Sequence, residues 1–198
     1  VALNSALARL GVTGALYVGP LGTTAPSATA MTPWDAAMRD LGYISDDGIV
    51  EGRDEDKEEF TPWQSATPIR AEITKSTQTY QATLWESKFD TISLFYRVGL
   101  ADMKQTGTGK DAVVSFVEEG KPDRDLRCFG IDVIDGIYHR RIFLPMAEVS
   151  ERGEITYKSD TLIGYEVTIT AYPGSDGYSA LRVYKEGWEL PTAPPPAG

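Results

Sequence analysis

Three Asp-Gly pairs, Asp47-Gly48, Asp135-Gly136 and Asp176-Gly177, stand between stretches that alternate apolar and polar residues. Asp-Gly is favoured where consecutive residues must take positive φ, as in a type I′ turn. Flanked by alternation it is a strong local hairpin signal. The chain is therefore expected to be an antiparallel β protein. The clearest alternation is in residues 162–172, where Tyr165, Val167, Ile169 and Ala171 oppose Glu166, Thr168, Thr170 and Tyr172. Residues 126–134 and 137–146 read as the arms of a hairpin across Asp135-Gly136. Phe129, Ile131 and Val133 share a face on one arm, and Ile142, Leu144 and Met146 on the other. Shorter strands are expected at 15–18, 43–45, 49–51, 113–117, 154–157 and 179–185.

Residues 69–86 form a long polar β stretch rich in Thr and Gln. A continuous strand of that length would span about 60 Å, long for a single domain, so a break is expected near Lys75-Ser76. Its middle has no strongly apolar face, which suits a segment that pairs with another subunit. Residues 51–59 (EGRDEDKEE) read as a solvated loop or charged edge strand, or else as an ordered interface. Ser87 and Asp90 have the spacing of a helix N-cap with an acid three residues on. Phe89, Ile92, Phe95 and Tyr96 then form the packing stripe of one flanking helix that ends near Gly99. Trp34, Met38 and Leu41 have helical spacing and suggest a docked helical turn. The chain divides into an N-terminal arm at 1–13, a β domain at 14–190 and a Pro-rich tail at 191–198.

Nineteen basic against 29 acidic side chains give a net charge of −10, and no basic run is present. That balance argues against specific nucleic-acid binding, which needs cations to displace phosphate counterions. No window approaches the ~20 apolar residues needed to span a bilayer, and residues 1–19 lack the pattern of a signal peptide. Cys128 is the only cysteine and His139 the only histidine, so neither an internal disulfide nor a multi-histidine metal site can form. Gly107-Thr108-Gly109-Lys110 superficially resembles a phosphate loop, but Lys104 and Asp111 stand where the pattern needs Gly and Ser or Thr. Asp46, Asp47, Asp54 and Asp56 do not match a calcium loop. Cys128 with His139, and Glu72 with Glu86, are the pairs that catalysis would require. Nothing in their spacing orients them, and neither an enzyme nor a cofactor is expected.

The order of segments carries a resemblance. Residues 14–23 (GALYVGPLGT), then Trp34, then residues 41–49 (LGYISDDGI), are similar to the opening of the major tail tube proteins of long-tailed phages, especially those of actinobacteria. Residues 58–64 (EEFTPWQ), the Thr-rich strand into Trp85-Glu86 and the helix at 89–96 extend it. The resemblance implies a β-sandwich or barrel-like subunit with a flanking helix and long inter-strand loops. It implies hexameric rings stacked into a hollow tube, built around a tape-measure protein and bounded by tail terminator and distal tail proteins. Genomic DNA would pass through the lumen without specific binding, and no membrane is involved. The protein would sit in the virion tail, and in the host cytoplasm during assembly.

On this reading the inter-subunit or inter-ring contacts fall in residues 51–64 and 70–83. The named candidates are Glu51, Asp54, Glu55, Asp56, Glu58, Glu59, Trp63, Arg70, Glu72, Lys75, Gln78 and Tyr80, with Glu166 facing the lumen. Deleting residues 74–80 is expected to leave a folded monomer that does not polymerise. The alternatives are a carbohydrate- or host-surface-binding sandwich and another tail ring component.

Overall fold

The computed structural model describes residues 5–186. Ten strands, β1 (Thr13–Pro20), β2 (Arg39–Asp40), β3 (Ile44–Phe60), β4 (Arg70–Leu84), β5 (Lys104–Thr106), β6 (Val113–Ser115), β7 (Arg127–Asp135), β8 (Tyr138–Arg152), β9 (Tyr165–Tyr172) and β10 (Leu181–Lys185), surround one helix, α1 (Phe89–Tyr96). All ladders are antiparallel. Hydrogen bonding runs β2-β1-β7-β8-β9-β4-β3, with β10 also on β8, and β5-β6 forms a separate two-stranded sheet. The Pro-rich tail at 191–198 lies outside the described residues.

This single ladder folds over on itself into a sandwich because β8 serves both layers. Its residues 139–143 pair with β10, and its residues 146–152 pair with β9. The bend falls at Pro145-Met146, where the β7–β8 register shifts from Phe129↔Leu144 to Arg127↔Ala147. Proline has no N–H to give to a ladder, so a bulge is where a strand tolerates it. The core face of β8 changes parity there, from Ile142 and Leu144 to Ala147 and Val149. One layer contributes Leu16, Val18, Phe129, Ile131, Ile142 and Leu144 to the core, and the other contributes Tyr80, Ala82, Leu84, Val167, Ile169 and Val149. A smaller cluster of Met38, Cys128 and Phe143 packs under Trp34 on the far side of β1, β7 and β8.

Asp135-Gly136 makes the expected hairpin between β7 and β8, with Asp135 opposite Tyr138. Only Gly136 has positive φ (61°), the type II′ pattern rather than I′. Asp47-Gly48 does not turn the chain. It lies inside β3 as a bulge, between Ile44↔Leu84 and Ile49↔Ala82, with Gly48 at φ 70°. Asp176-Gly177 joins β9 to β10, which pair with successive parts of β8 rather than with each other. Residues 70–84 stay continuous. In place of the expected break, Thr74 bulges where the register passes from Asp56↔Lys75 to Lys57↔Ile73. The strand expected at 154–157 does not form, and β5 forms where no strand is expected.

Helix α1 begins one residue later than expected, with Lys88 at the N-cap and no side-chain capping bond. The Ser87 hydroxyl is engaged instead with the Tyr165 hydroxyl at 3.1 Å. Arg97, in the left-handed region at φ 56°, ends the helix before Gly99 is reached. Its buried face is Thr91, Leu94 and Phe95, with Val98 following, which rotates the expected stripe. Phe95 is buried and Ile92 and Tyr96 pack against the core in part, but Phe89 is 48% exposed. Trp34, Met38 and Leu41 pack inward, and the expected helical turn is a single turn at Ala36-Ala37, closed by the Met38 N–H donating to the Asp35 carbonyl at 2.9 Å.

Beneath Trp34 lies a buried ionic pair. Asp132 and Arg141 face each other across β7 and β8, each 5% exposed. Arg141 Nε and Nη2 donate to the two Asp132 oxygens at 2.7 and 2.8 Å. Trp34 Nε1 donates to Asp132 Oδ2 at 2.8 Å, and its ring lies 4.2 Å from the guanidinium carbon. Arg141 also donates to the Thr32 carbonyl. A buried charge with one partner removed is costly, so this set of bonds pins the connection between β1 and β2 to the sheet.

Candidate assembly interface

β3 and β4 continue well past the sandwich. β4 pairs with β9 only from Gln78↔Ala171 to Leu84↔Tyr165, whereas it pairs with β3 as far as Phe60↔Arg70. Residues 54–60 and 70–77 therefore hold only each other, a hairpin reaching about 20 Å beyond the body at ~3.3 Å per residue. Every residue of 53–60 and 70–76 is exposed. Side-chain bonds between the two arms are few, with Ser76 Oγ to Glu55 Oε1 at 3.2 Å and Thr74 Oγ1 to the Asp56 carbonyl at 3.3 Å. β3 carries eight acids and two bases, a net −6. The connecting loop bears Trp63, 99% exposed, with Phe60, Ile69 and Ile73 exposed beside it. A two-stranded ribbon of this kind is at best marginally stable in water without a partner.

Among the described residues, no strand lies against the outer margin of β3 along its whole length. An open edge of seventeen residues presents unpaired amides and carbonyls and is a template for pairing with another chain. Its dense charge limits indiscriminate association.

The structure sorts the sequence candidates. Asp54, Glu55, Asp56, Glu58, Glu59, Trp63, Arg70, Glu72 and Lys75 all lie on the projecting hairpin. Tyr80 does not belong with them. It is 1% exposed in the core, and its hydroxyl accepts from Arg182 Nη2 at 3.0 Å. Alternation could have shown this, because Tyr80 shares its face with Ala82 and Leu84. Glu51 is engaged within the subunit. Arg182 Nη1 donates to its Oε2 at 3.1 Å, and that hydrogen bonding holds the arginine above its ordinary value. Gln78 is half-buried at the root of the hairpin, with Oε1 unpartnered. Removing residues 74–80 would therefore cut into the core as well as the hairpin. Residues 56–75 are the piece that separates from it.

The face of β4, β8 and β9 turned away from the core carries Thr79, Gln81, Thr168, Thr170, Ser150 and Glu151. Glu166 is on that side, accepting a hydrogen bond from Gln81 Nε2. It is a hydroxyl- and amide-covered wall.

The pairs that catalysis would need are not assembled. Cys128 Sγ donates to the Pro145 carbonyl at 3.0 Å, while His139 faces Asp132. Glu72 pairs with Arg70 on the hairpin, and Glu86 pairs with Lys88 at 3.3 Å beyond the other end of β4. About 40 Å of strand separates them, far beyond the ~5–10 Å between glycosidase carboxylates. Among the described residues no group of three His, Cys, Asp or Glu could hold a metal ion, and no helix is long and apolar enough to cross a membrane.

An antiparallel sandwich with open margins, a projecting ribbon and a polar wall has the build of a structural subunit. The chain belongs to the phage tail tube proteins, whose family model matches residues 1–195. A search of curated proteins returned no match. The protein is thus a structural component of the phage tail, assembling with copies of itself into the tube.

Proposed function

We propose that six copies close into a ring through their open sheet margins and that rings stack through the β3–β4 hairpin. The stacked rings form a siphovirus-type conduit through which the genome passes into the host. The observation that carries this reading is the β3–β4 ribbon, exposed on every side and continuous with an unpaired edge strand. Ring closure would remove that edge. The Asp54–Glu59 acids, Arg70, Glu72 and Lys75 then meet the neighbouring ring, with Trp63 as the apolar anchor of the contact.

The polar wall of β4, β8 and β9 faces the lumen, with Glu166 and Glu151 among its acids. Six copies at −10 each carry a formal charge of about −60. An anionic wall repels the phosphate backbone, so DNA slides without adhering. Assembly takes place in the host cytoplasm around a tape-measure protein, and terminator and distal tail proteins cap the ends. Negative-stain electron microscopy over a concentration series tests the proposal. Rings or stacked tubes with sixfold end views are expected, and a protein that stays monomeric at high concentration refutes it.

A further inference from the structure

A cleft of about 750 Å³ separates residues 13–15 of β1 from residues 43–49 at the start of β3. Both walls are open strand margins. β2 covers β1 only at Tyr17 and Val18, and none of the described residues pairs with the outer side of β3. The lining is anionic, with Asp40, Asp46, Asp47 and Glu86. Glu86 accepts from the Tyr43 N–H at 2.9 Å, the main reason its carboxyl is held below the ordinary range. Asp46 and Asp47 are exposed and make no ion pair among the described residues. Ser45 also lines the cleft. It is 8% exposed, yet its hydroxyl has no partner. A buried hydroxyl left unpaired is unfavourable, so Ser45 favours a hydrogen-bonding neighbour.

The same chain carries a fitting counterpart. The β5–β6 hairpin is separate from the main sheet, almost wholly exposed, and too small to be stable alone. Its tip, Thr106-Gly107-Thr108-Gly109-Lys110, has no bulky side chain before the lysine, and both glycines take positive φ. Lys104 and Lys110 are exposed and make no ion pair among the described residues. With Asp111 the hairpin has a net charge of +1. Lys57 and Lys75 are also exposed, but they sit among the acids of the β3–β4 ribbon.

We propose that this cleft receives the β5–β6 hairpin of a neighbouring copy, with Lys104 and Lys110 meeting Asp46 and Asp47 and a tip hydroxyl or amide satisfying Ser45. The contact is head-to-tail, the type that generates rings and filaments. It rests on the self-assembly proposed above and names the surface that sets its register.

Charge exchange in the full-length protein tests it, read by sedimentation velocity and negative stain, with thermal melting to check folding. Asp46→Lys with Asp47→Lys raises the concentration needed for assembly about tenfold or more, because like charges then oppose each other. Lys104→Glu with Lys110→Glu does the same. The four substitutions combined restore assembly to within about threefold of the unaltered protein. Ser45→Ala weakens assembly without lowering the melting temperature, because it removes an unsatisfied group from the monomer. If either pair assembles normally, or if the combination does not recover, this contact is wrong while the tube reading stands. If the unaltered protein itself fails to assemble, the tube reading falls and this contact with it.

Discussion

Excising the β3–β4 ribbon separates folding from assembly. Glu55 and Ser76 face each other in the ladder, so residues 56–75 can be replaced by Asn-Gly, which closes a two-residue hairpin turn. None of the removed residues is buried. The core loses no transfer free energy, and the expected change in monomer stability is within ~1 kcal/mol, or a melting shift within about 4 °C for a domain this size. Assembly behaves differently. Trp63 and Ile69 are exposed in the free subunit, and fully covering such side chains contributes about 1.5–3 kcal/mol each. Ordering them costs about 1 kcal/mol apiece, leaving roughly 1–4 kcal/mol per contact, a factor of about 5 to 700 in dissociation constant. The excised protein should melt normally by calorimetry and form no stacked tubes at concentrations where the full chain does. Trp63→Ala alone should raise the assembly threshold at least severalfold. Normal tubes from the excised variant would refute the assignment of the ribbon to inter-ring contact. A loss of more than about 3 kcal/mol would refute its independence from the core.

Three other outcomes follow from the body of the protein. Asp132→Ala leaves Arg141 buried without its carboxylate and should cost about 3–5 kcal/mol in denaturant unfolding; a change under 1 kcal/mol would contradict the pinning role. Gly130→Ala places a Cβ 2.7 Å from the Trp34 ring and should destabilise by about 1–3 kcal/mol, with altered tryptophan fluorescence; an unchanged spectrum and midpoint would show that the ring has room. Arg124 donates to Glu148 at 2.9 and 3.0 Å and holds its carboxyl below the ordinary 4.5, so this pair stabilises fully above the unfolded-state value and the contribution is lost as pH falls through the depressed folded-state value. Glu148→Gln should therefore flatten the fall in melting temperature below about pH 4.5, and an identical acid profile would count against it.

The β7–β8 hairpin was legible because its signal is local: the turn and both paired arms lie within one short stretch of sequence. The same dipeptide at Asp47-Gly48 marks a bulge, since a glycine at positive φ serves a kink in a strand as well as a reversal. The β3–β4 ribbon was legible as a long polar stretch lacking an apolar face, and nine of the twelve interface candidates lie on it. The burial of Tyr80 and the pairing of Glu51 within the subunit were not legible, because their partners, Arg182 and the opposite layer, are distant in sequence. Of the expected helix stripe only Phe89 falls outside the core: it is the more apolar residue, yet Thr91 fits the space over Leu41, its hydroxyl 3.4 Å from that carbonyl. The fold of one ladder into two layers had no local signature beyond Pro145.

The shared strand has a mechanical consequence. Because β8 runs unbroken through its bulge into both sheets, the layers are joined by backbone as well as by side-chain packing. Shear applied to one is carried directly into the other. A subunit built this way bends little internally, so the suppleness of a long tube must reside at the joints between subunits.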